Sequence, residues 1–477
     1  MTAHPPRYGE DIAGHAATAI TRPLPEVVLE CGRLHLLDTL AAIVSGSVLE
    51  AGLAAQRYVR TVGGAERAAV LGTSLRAPLA EAALANGMAA HADESDDSHE
   101  ESQTHPGCGV VPAAIAVAEE TASSGEGLLR SVILGYEMTI RFAQAIGTAM
   151  SFGTSSLSSH SYGPLFGAGY AAGALLGFSG TQFATLLNYL SQEASGLTTW
   201  RLDQRHTLKS YHFGGMPAMN GLKAAALVRS GFTGAGDVLN RDGRNMLDAI
   251  CPSPRPEALT DGLGERFAIL ETDIKKYSVG YPIAAPLAAL ESIIAEHALT
   301  SSQVDGVRVR YHEDWYKVVG DQTLVPDVNL RYCLAATILD GRLSFDAAHD
   351  AQRMATSEIR ETAGKIQFLG PTPELGWLDV VVEVLSGNTT YSAVQQGAEL
   401  PGRHQHPLTR REVEDKALEL MGRVLPRPQV LDVVAMCAEI ERISDVSDLV
   451  RTLTPDFRRD AEPGAYSSPT SAPSQIP

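Results

Sequence analysis

The chain has 477 residues, 44% hydrophobic and 20% charged, with 38 lysines and arginines against 56 aspartates and glutamates, for a formal net charge of −18. That is the composition of a soluble globular protein long enough for two or three domains, and so negative a surface repels phosphate backbones, which excludes nucleic acid as a general partner. Five cysteines without a CxxC pair offer neither a zinc motif nor a disulfide framework, and the opening MTAHPPRYGEDIAGH lacks the apolar stretch of a secretion signal, so a cytoplasmic location is expected.

From Glu26, EVVLECGRLHLLDTLAAIVSG places Val27, Cys31, Leu34, Leu37, Ala41 and Val44 on one helical face, after Pro23 and Pro25 and before a stop at Gly46. The same spacing predicts helices over 78–90, 111–120, 125–146, 169–176, 180–192 and 219–230. The stretch 142–192 holds no Asp, Glu, Lys or Arg, yet Gly, Ser, Thr, Asn and Pro interrupt it. It predicts helices buried on every side rather than a membrane span. Near residue 270 the texture changes: 304–312 and 378–387 alternate β-branched residues, while 282–297 and 331–340 stay helical. Helices return over 410–424, 430–442 and 444–453. The expected organisation is mainly α with an α+β lid: a helical domain over 1–269, an α+β domain over 270–399 and C-terminal helices over 400–455. The Pro-, Ser- and Ala-rich 456–477 is expected to form a disordered tail.

The densest chemistry lies in HADESDDSHEESQTHPG, residues 91–107, where Asp93, Glu94, Asp96, Asp97, Glu100 and Glu101 put six carboxylates in nine residues. Charge runs usually form a solvated face. Carboxylates also bind hard cations, and Asp96-Asp97-Ser98-His99-Glu100 imitates the DDxxE pattern with which terpenoid synthases hold Mg²⁺. No second acidic motif follows it, and 6% aromatic residues is little for the cavity those enzymes need. Lys209 and His212 in KSYHFGG share a face if helical, and would be a surface lysine and a core histidine if nothing more. Lys275-Lys276-Tyr277 falls where the texture changes, and seams between domains favour small-molecule clefts. Tyr332 sits among apolar helical positions that would bury a ring in any case. His160 is nearly alone as a titratable group in the charge-free stretch, where burial would hold it neutral and suited to act as a general base.

In this order the segments LPEVVLECGRLHLLDTLAAIVSG, HADESDDS with THPG, KSYHFGG, GFTGAGDVL, IKKYSV, NLRYCLAATILDG and PLTRREVEDKALEL resemble the MmgE/PrpD family, which includes 2-methylcitrate dehydratases, cis-aconitate decarboxylases and iminodisuccinate epimerases. The resemblance implies a large all-helical domain completed by C-terminal helices, with a smaller α+β lid domain inserted before them, and a homodimer needing no metal or cofactor. Glu94 stands where the family has Asp, and Ser98 where it has Thr. His105-Pro106 matches its HP pair, and Lys209, His212 and Gly214 its KxxHxG. Lys275-Lys276-Tyr277-Ser278 matches its K-x-Y-P without the proline, and Tyr332 its lid tyrosine. Ser159-His160-Ser161 lies about two residues out of register with its G-F-H-P-T, and Pro282-Ile283-Ala284-Ala285-Pro286 replaces its H-P-A-I-D-A.

The implied substrates are small di- or tricarboxylic acids, and the implied partners include neither nucleic acid nor membrane. Abstracting a proton beside a carboxylate builds an enolate-like dianion, which Lys209 and Lys275 could stabilise where water is excluded. His105 and His160 are the candidate base and acid and Tyr332 a proton donor from the lid, while Glu94, Ser98 and His212 are candidate substrate-binding residues. Dehydration leads as the family's broadest reaction. Decarboxylation and epimerisation are the alternatives within the family, and an Mg²⁺-dependent terpenoid synthase or a non-catalytic carboxylate binder the alternatives outside it.

Overall fold

The computed structural model describes residues 7–147, 156–240, 245–320 and 323–455. The expected tail over 456–477 lies outside the described residues. The first half is helical: α1 (Tyr8–Ala17), α2 (Glu26–Gly46), α3 (Glu50–Val62), a short hairpin of β1 (Ala68–Ala69) and β2 (Arg76–Ala77), α4 (Leu79–Ala90), α5 (Pro106–Glu120), α6 (Gly125–Ala145), α7 (Ser159–Leu175), α8 (Gly180–Glu193), α9 (Thr207–Ser210), α10 (Met216–Arg229) and α11 (Met246–Ile250). A π-helical turn, Tyr211–Gly215, joins α9 to α10. Helix α7 begins at Ser159 rather than near 169 and carries Pro164 inside it, where the ring removes one N–H from the helix ladder, a loss that burial of nearly the whole helix outweighs. Nearly all of α7 is buried, which accounts for a stretch without charge.

The second half supplies α12 (Ala284–Glu296), β3 (Gly306–Arg310), α13 (Glu313–Val319), α14 (Leu330–Asp340), α15 (Phe345–Ala348), α16 (Ala351–Met354), α17 (Ser357–Ala363), β4 (Ile366–Leu369), β5 (Val380–Ser386) and β6 (Thr389–Gln395). Its sheet runs β4-β3-β5-β6, with β3 parallel to β4 and the other pairs antiparallel. On β5, Val380, Val382 and Val384 point inward, the alternation expected of a sheet with one covered face. These strands and helices gather around a core of their own that includes Tyr277 and Tyr332. The protein is thus mainly α with a minor β part.

Helices α18 (Arg410–Met421), α19 (Arg427–Ala438) and α20 (Ser447–Thr452) close the chain. Thr409 and Glu412 form a reciprocal capping box at the start of α18, which fixes where it begins. Both α18 and α19 lie on α2, and the buried Lys416 of α18 reaches Asp38 of α2 at 2.6 Å. Among the described residues no single helix is long and apolar enough to cross a membrane.

Candidate active site

The site is built on the connection between α4 and α5. Asp93, Glu94, Asp96 and Asp97 are all buried, and only Glu100 and Glu101 of the six carboxylates face outward. The run is therefore not a solvated face. Asp97 accepts from His35 Nδ1 at 2.8 Å, from the Gly107 N–H at 2.9 Å and from the Tyr136 hydroxyl, which anchors the start of α5. Gly107 must be glycine there, since a Cβ would lie 2.3 Å from Thr39 Oγ1. Asp93 accepts from the Ser45 hydroxyl and from the Ser95 N–H at 2.9 Å. Beneath the loop, Lys416 Nζ donates to the Ser95 carbonyl at 2.7 Å.

Glu94 and Asp96 turn toward the cations. Glu94 has φ +55, a left-handed conformation that costs a non-glycine residue about 1–3 kcal/mol and needs surrounding contacts to hold it. Its carboxylate pairs with Lys209, lies 3.0 Å from His206 Nε2, and meets Lys275 Nζ at 3.5 Å. Lys275 Nζ also donates to the Glu94 carbonyl at 2.9 Å and lies 3.6 Å from Asp96 Oδ1. Burial would raise the pKa of both carboxyls, but the lysines and histidines around them outweigh it and hold both well below the usual carboxylate range. Lys275 is held above the ordinary lysine range: burial opposes its charge, and Asp96, Glu94 and Asp93 more than compensate.

Above these pairs lies a group of histidines and aromatic rings. His91 Nδ1 donates to Asp96 Oδ2 at 2.8 Å, and His105 Nδ1 lies 3.3 Å from the same oxygen. His160 stacks on Phe213 at 4.3 Å, lies 5.8 Å from His105 centroid to centroid, and has Nδ1 3.2 Å from Ser158 Oγ. Lys209 Nζ sits over the rings of Phe213 at 5.3 Å and Trp200 at 5.6 Å, an arrangement that holds an ammonium without neutralising it. His160 and Lys209 are only half-buried and form the open side of the group. Burial, with His105, His212 and Lys209 nearby, keeps the His160 pKa well below the ordinary histidine value. Burial likewise lowers His212 to about 4, and lowers His91 to about 3 despite Asp96 and Glu94. His160 is therefore a neutral imidazole beside an ammonium.

The KSYHFGG segment reaches this place through its π turn. A Cβ on Gly214 would lie 2.1 Å from the Gly87 carbonyl of α4, so only glycine lets the turn press against α4 and aim His212 and Phe213 inward. The structure thus brings His105, His160, Lys209, His212, Lys275 and Glu94 together. Ser98 serves mainly through its backbone, pairing with Asp273 two residues before Lys275, while its buried hydroxyl has no hydrogen-bond partner. The structure does not bring Tyr332 to the histidines. Its hydroxyl donates to the Ala347 carbonyl and lies 3.3 Å from that of Asp350, inside the α+β core, so the expected proton donor is already committed to backbone acceptors. The loop before His160 is described only from Ser156.

Two residues without an assigned role in the sequence belong to the site. His91 bridges Asp96 and Glu94, and His206, with φ +61, turns its buried ring onto Glu94. The signal for His206 was present as His206-x-x-Lys209-x-x-His212, three titratable groups at one spacing. His91 was hidden because a histidine ending an alanine-rich helix resembles any helix-terminal residue. Two donor sets, His91 with Asp96 and His105, and His91 with Glu94 and His206, are compact enough to hold a metal ion. Lys209 and Lys275 already occupy those carboxylates, and a divalent cation entering either set would meet like charge.

Residues 10–258 match the MmgE/PrpD N-terminal domain and residues 277–440 the MmgE/PrpD C-terminal domain. The chain is similar to a cis-aconitate decarboxylase of Aspergillus terreus, 22% identical over 93% of this chain and 95% of that protein. It is also similar to the human cis-aconitate decarboxylase, 23% identical over 90% of this chain and 91% of the other, and to that of Mus musculus, 22% identical over 93% of each.

Proposed function

We propose that this chain, which belongs to the MmgE/PrpD family, is a lyase acting on a small di- or tricarboxylic acid without a metal or cofactor. The observation that carries the proposal is the neutral His160 facing His105 at 5.8 Å beside the Lys209 ammonium. Anionic carboxylates of the substrate are drawn to Lys209 and Lys275, with His212 beside them as a neutral hydrogen-bonding group. In a decarboxylation the C–CO₂ bond breaks, its electron pair passes into an enolate-like system stabilised by the lysines, and a proton taken from solvent and relayed through His105 and His160 completes the product. In a dehydration the same histidines remove a proton beside a carboxylate and protonate the departing hydroxyl.

The name shared by the relatives favours the carboxy-lyase reaction over the hydro-lyase that sequence reasoning put first. Dehydration stays the second reading because it uses the same groups, and Glu94, reaching one methylene further than the family's Asp, would orient a substrate differently. Incubating the protein with cis-aconitate, citrate, 2-methylcitrate and iminodisuccinate in D₂O, followed by ¹H and ¹³C NMR, tests the proposal. CO₂ release with deuterium at the adjacent carbon is expected, and undiminished after exhaustive EDTA treatment. No exchange, loss or turnover with any of these acids would overturn it.

A further inference from the structure

His349 follows α15 and joins the α+β part to the loop carrying Glu94. Its Nδ1 lies 2.8 Å from the Phe345 carbonyl and its Nε2 lies 3.0 Å from the carbonyl of Asp93, the residue before Glu94. Two carbonyls can only accept, so both contacts are hydrogen bonds only when both ring nitrogens carry protons, that is, as the imidazolium. The counter-charge is in place: Asp327 Oδ2 lies 3.5 Å from Nε2. The Asp327 carboxylate is buried, and neither of its oxygens has a hydrogen-bond partner, so His349 is the charge it faces. The ring also stacks on Phe345 at 4.1 Å, which fixes its plane.

We propose that His349 is a positioning residue: as an imidazolium paired with Asp327 it clamps the Asp93 carbonyl and so holds Glu94 in the left-handed conformation from which it meets Lys209, His206 and Lys275. The clamp is a direct hold of the α+β part on the Glu94 loop, beside those of Lys275 on the Glu94 carbonyl and of Lys416 of α18 from below. It ties the electrostatics of the lysines to the docking of the lid. Burial works against a charge on His349, but Asp327 and Asp93 outweigh it and hold its pKa up at about 9. The inference rests on the proposed function only for its kinetic consequences.

The test has two arms. In the first, histidine ¹⁵N NMR of the full chain follows His349, assigned by its loss in His349→Gln. Both nitrogens are expected to be protonated at pH 7, with a midpoint near 9 that falls in Asp327→Asn. A neutral His349 at pH 7 would overturn the clamp whatever the enzyme acts on. In the second, kcat and KM are measured with the acid found to turn over. Losing the clamp in His349→Ala is expected to lower kcat/KM about 10–100-fold, the range for removing a group that orients another. His349→Gln, which can still donate to Asp93, is expected to recover most of that loss. Wild-type kinetics in folded His349→Ala would overturn the positioning role. Turnover of none of the acids would instead count against the proposed function and leave the NMR arm decisive.

Discussion

The loop between α4 and α5 and the α+β region around Tyr332 were both expected to face the substrate, and they are built in opposite ways. In the loop four carboxylates are buried, each with its own partners: Ser45 for Asp93, lysines and His206 for Glu94, His91 and Lys275 for Asp96, and His35 with Tyr136 for Asp97. Around Tyr332 the core is largely apolar, and the Tyr332 hydroxyl is tied to the Ala347 carbonyl. Where cations surround them, as at Glu94 and Asp96, buried carboxylates keep their ionisation and can act on a ligand, whereas the Tyr332 hydroxyl has its proton already donated to the backbone. The helical half therefore holds His105 and His160, the groups proposed to transfer protons. The α+β half contributes closure and His349, and the segment leading into it contributes Lys275.

The contrast breaks most visibly at His160. His160→Gln should reduce turnover or solvent exchange by roughly 10²–10⁴-fold, the range for losing a general acid–base group, with the fold intact. Near-normal exchange would return His160 to the core.

Lys209 and Lys275 sharpen the contrast, because they differ in burial. Either alanine substitution should lower kcat/KM by about 10²–10³-fold. Lys275→Ala should also cost stability in denaturant unfolding, at most about 3–5 kcal/mol, since it takes from Glu94 and Asp96 the buried cation they share and leaves them to Lys209, His206 and His91, while loss of the less buried Lys209 should cost clearly less. Equal losses in both would mean that burial does not distinguish them.

Stability against pH separates the two halves further. Glu94 and Asp96 have depressed pKa values, so their contribution is present above the ordinary carboxylate range and is lost as pH falls toward their low folded values. His349 is raised from 6.5 to about 9, so its contribution is complete below 6.5 and lost as pH rises through 9. A melting-temperature profile should fall at both ends, and His349→Gln should flatten only the alkaline side. An alkaline limb unchanged in that variant would assign it to another group.

The smallest effect is expected at Tyr332. Tyr332→Phe should leave kcat within about 2-fold and cost about 1 kcal/mol for its hydrogen bond. A 100-fold loss of kcat would show that the tyrosine leaves Ala347 during the reaction.

Periodicity located the helices over 26–46 and 125–145 and the strand at 380–386, but burial follows one face only in the strand: residues 35–46 and 131–145 are buried all round, and Val27 of the expected face is exposed. It missed β4 and β6, the first too short and the second too polar to show that repeat. Spacing marked Lys209 with His212, and the carboxylate run announced itself by density. Whether that run is solvated or buried, whether His160 reaches His105, and that Lys275 lands on Glu94 from 181 residues away were decided only by the tertiary structure. Matching a buried charge depends on which distant chain passes within about 4 Å. The same holds for His349: nothing in its neighbourhood along the chain names Asp93 or Asp327; the folding of the α+β part brings Asp327 to its ring, and only the packing of that part onto the helices brings Asp93.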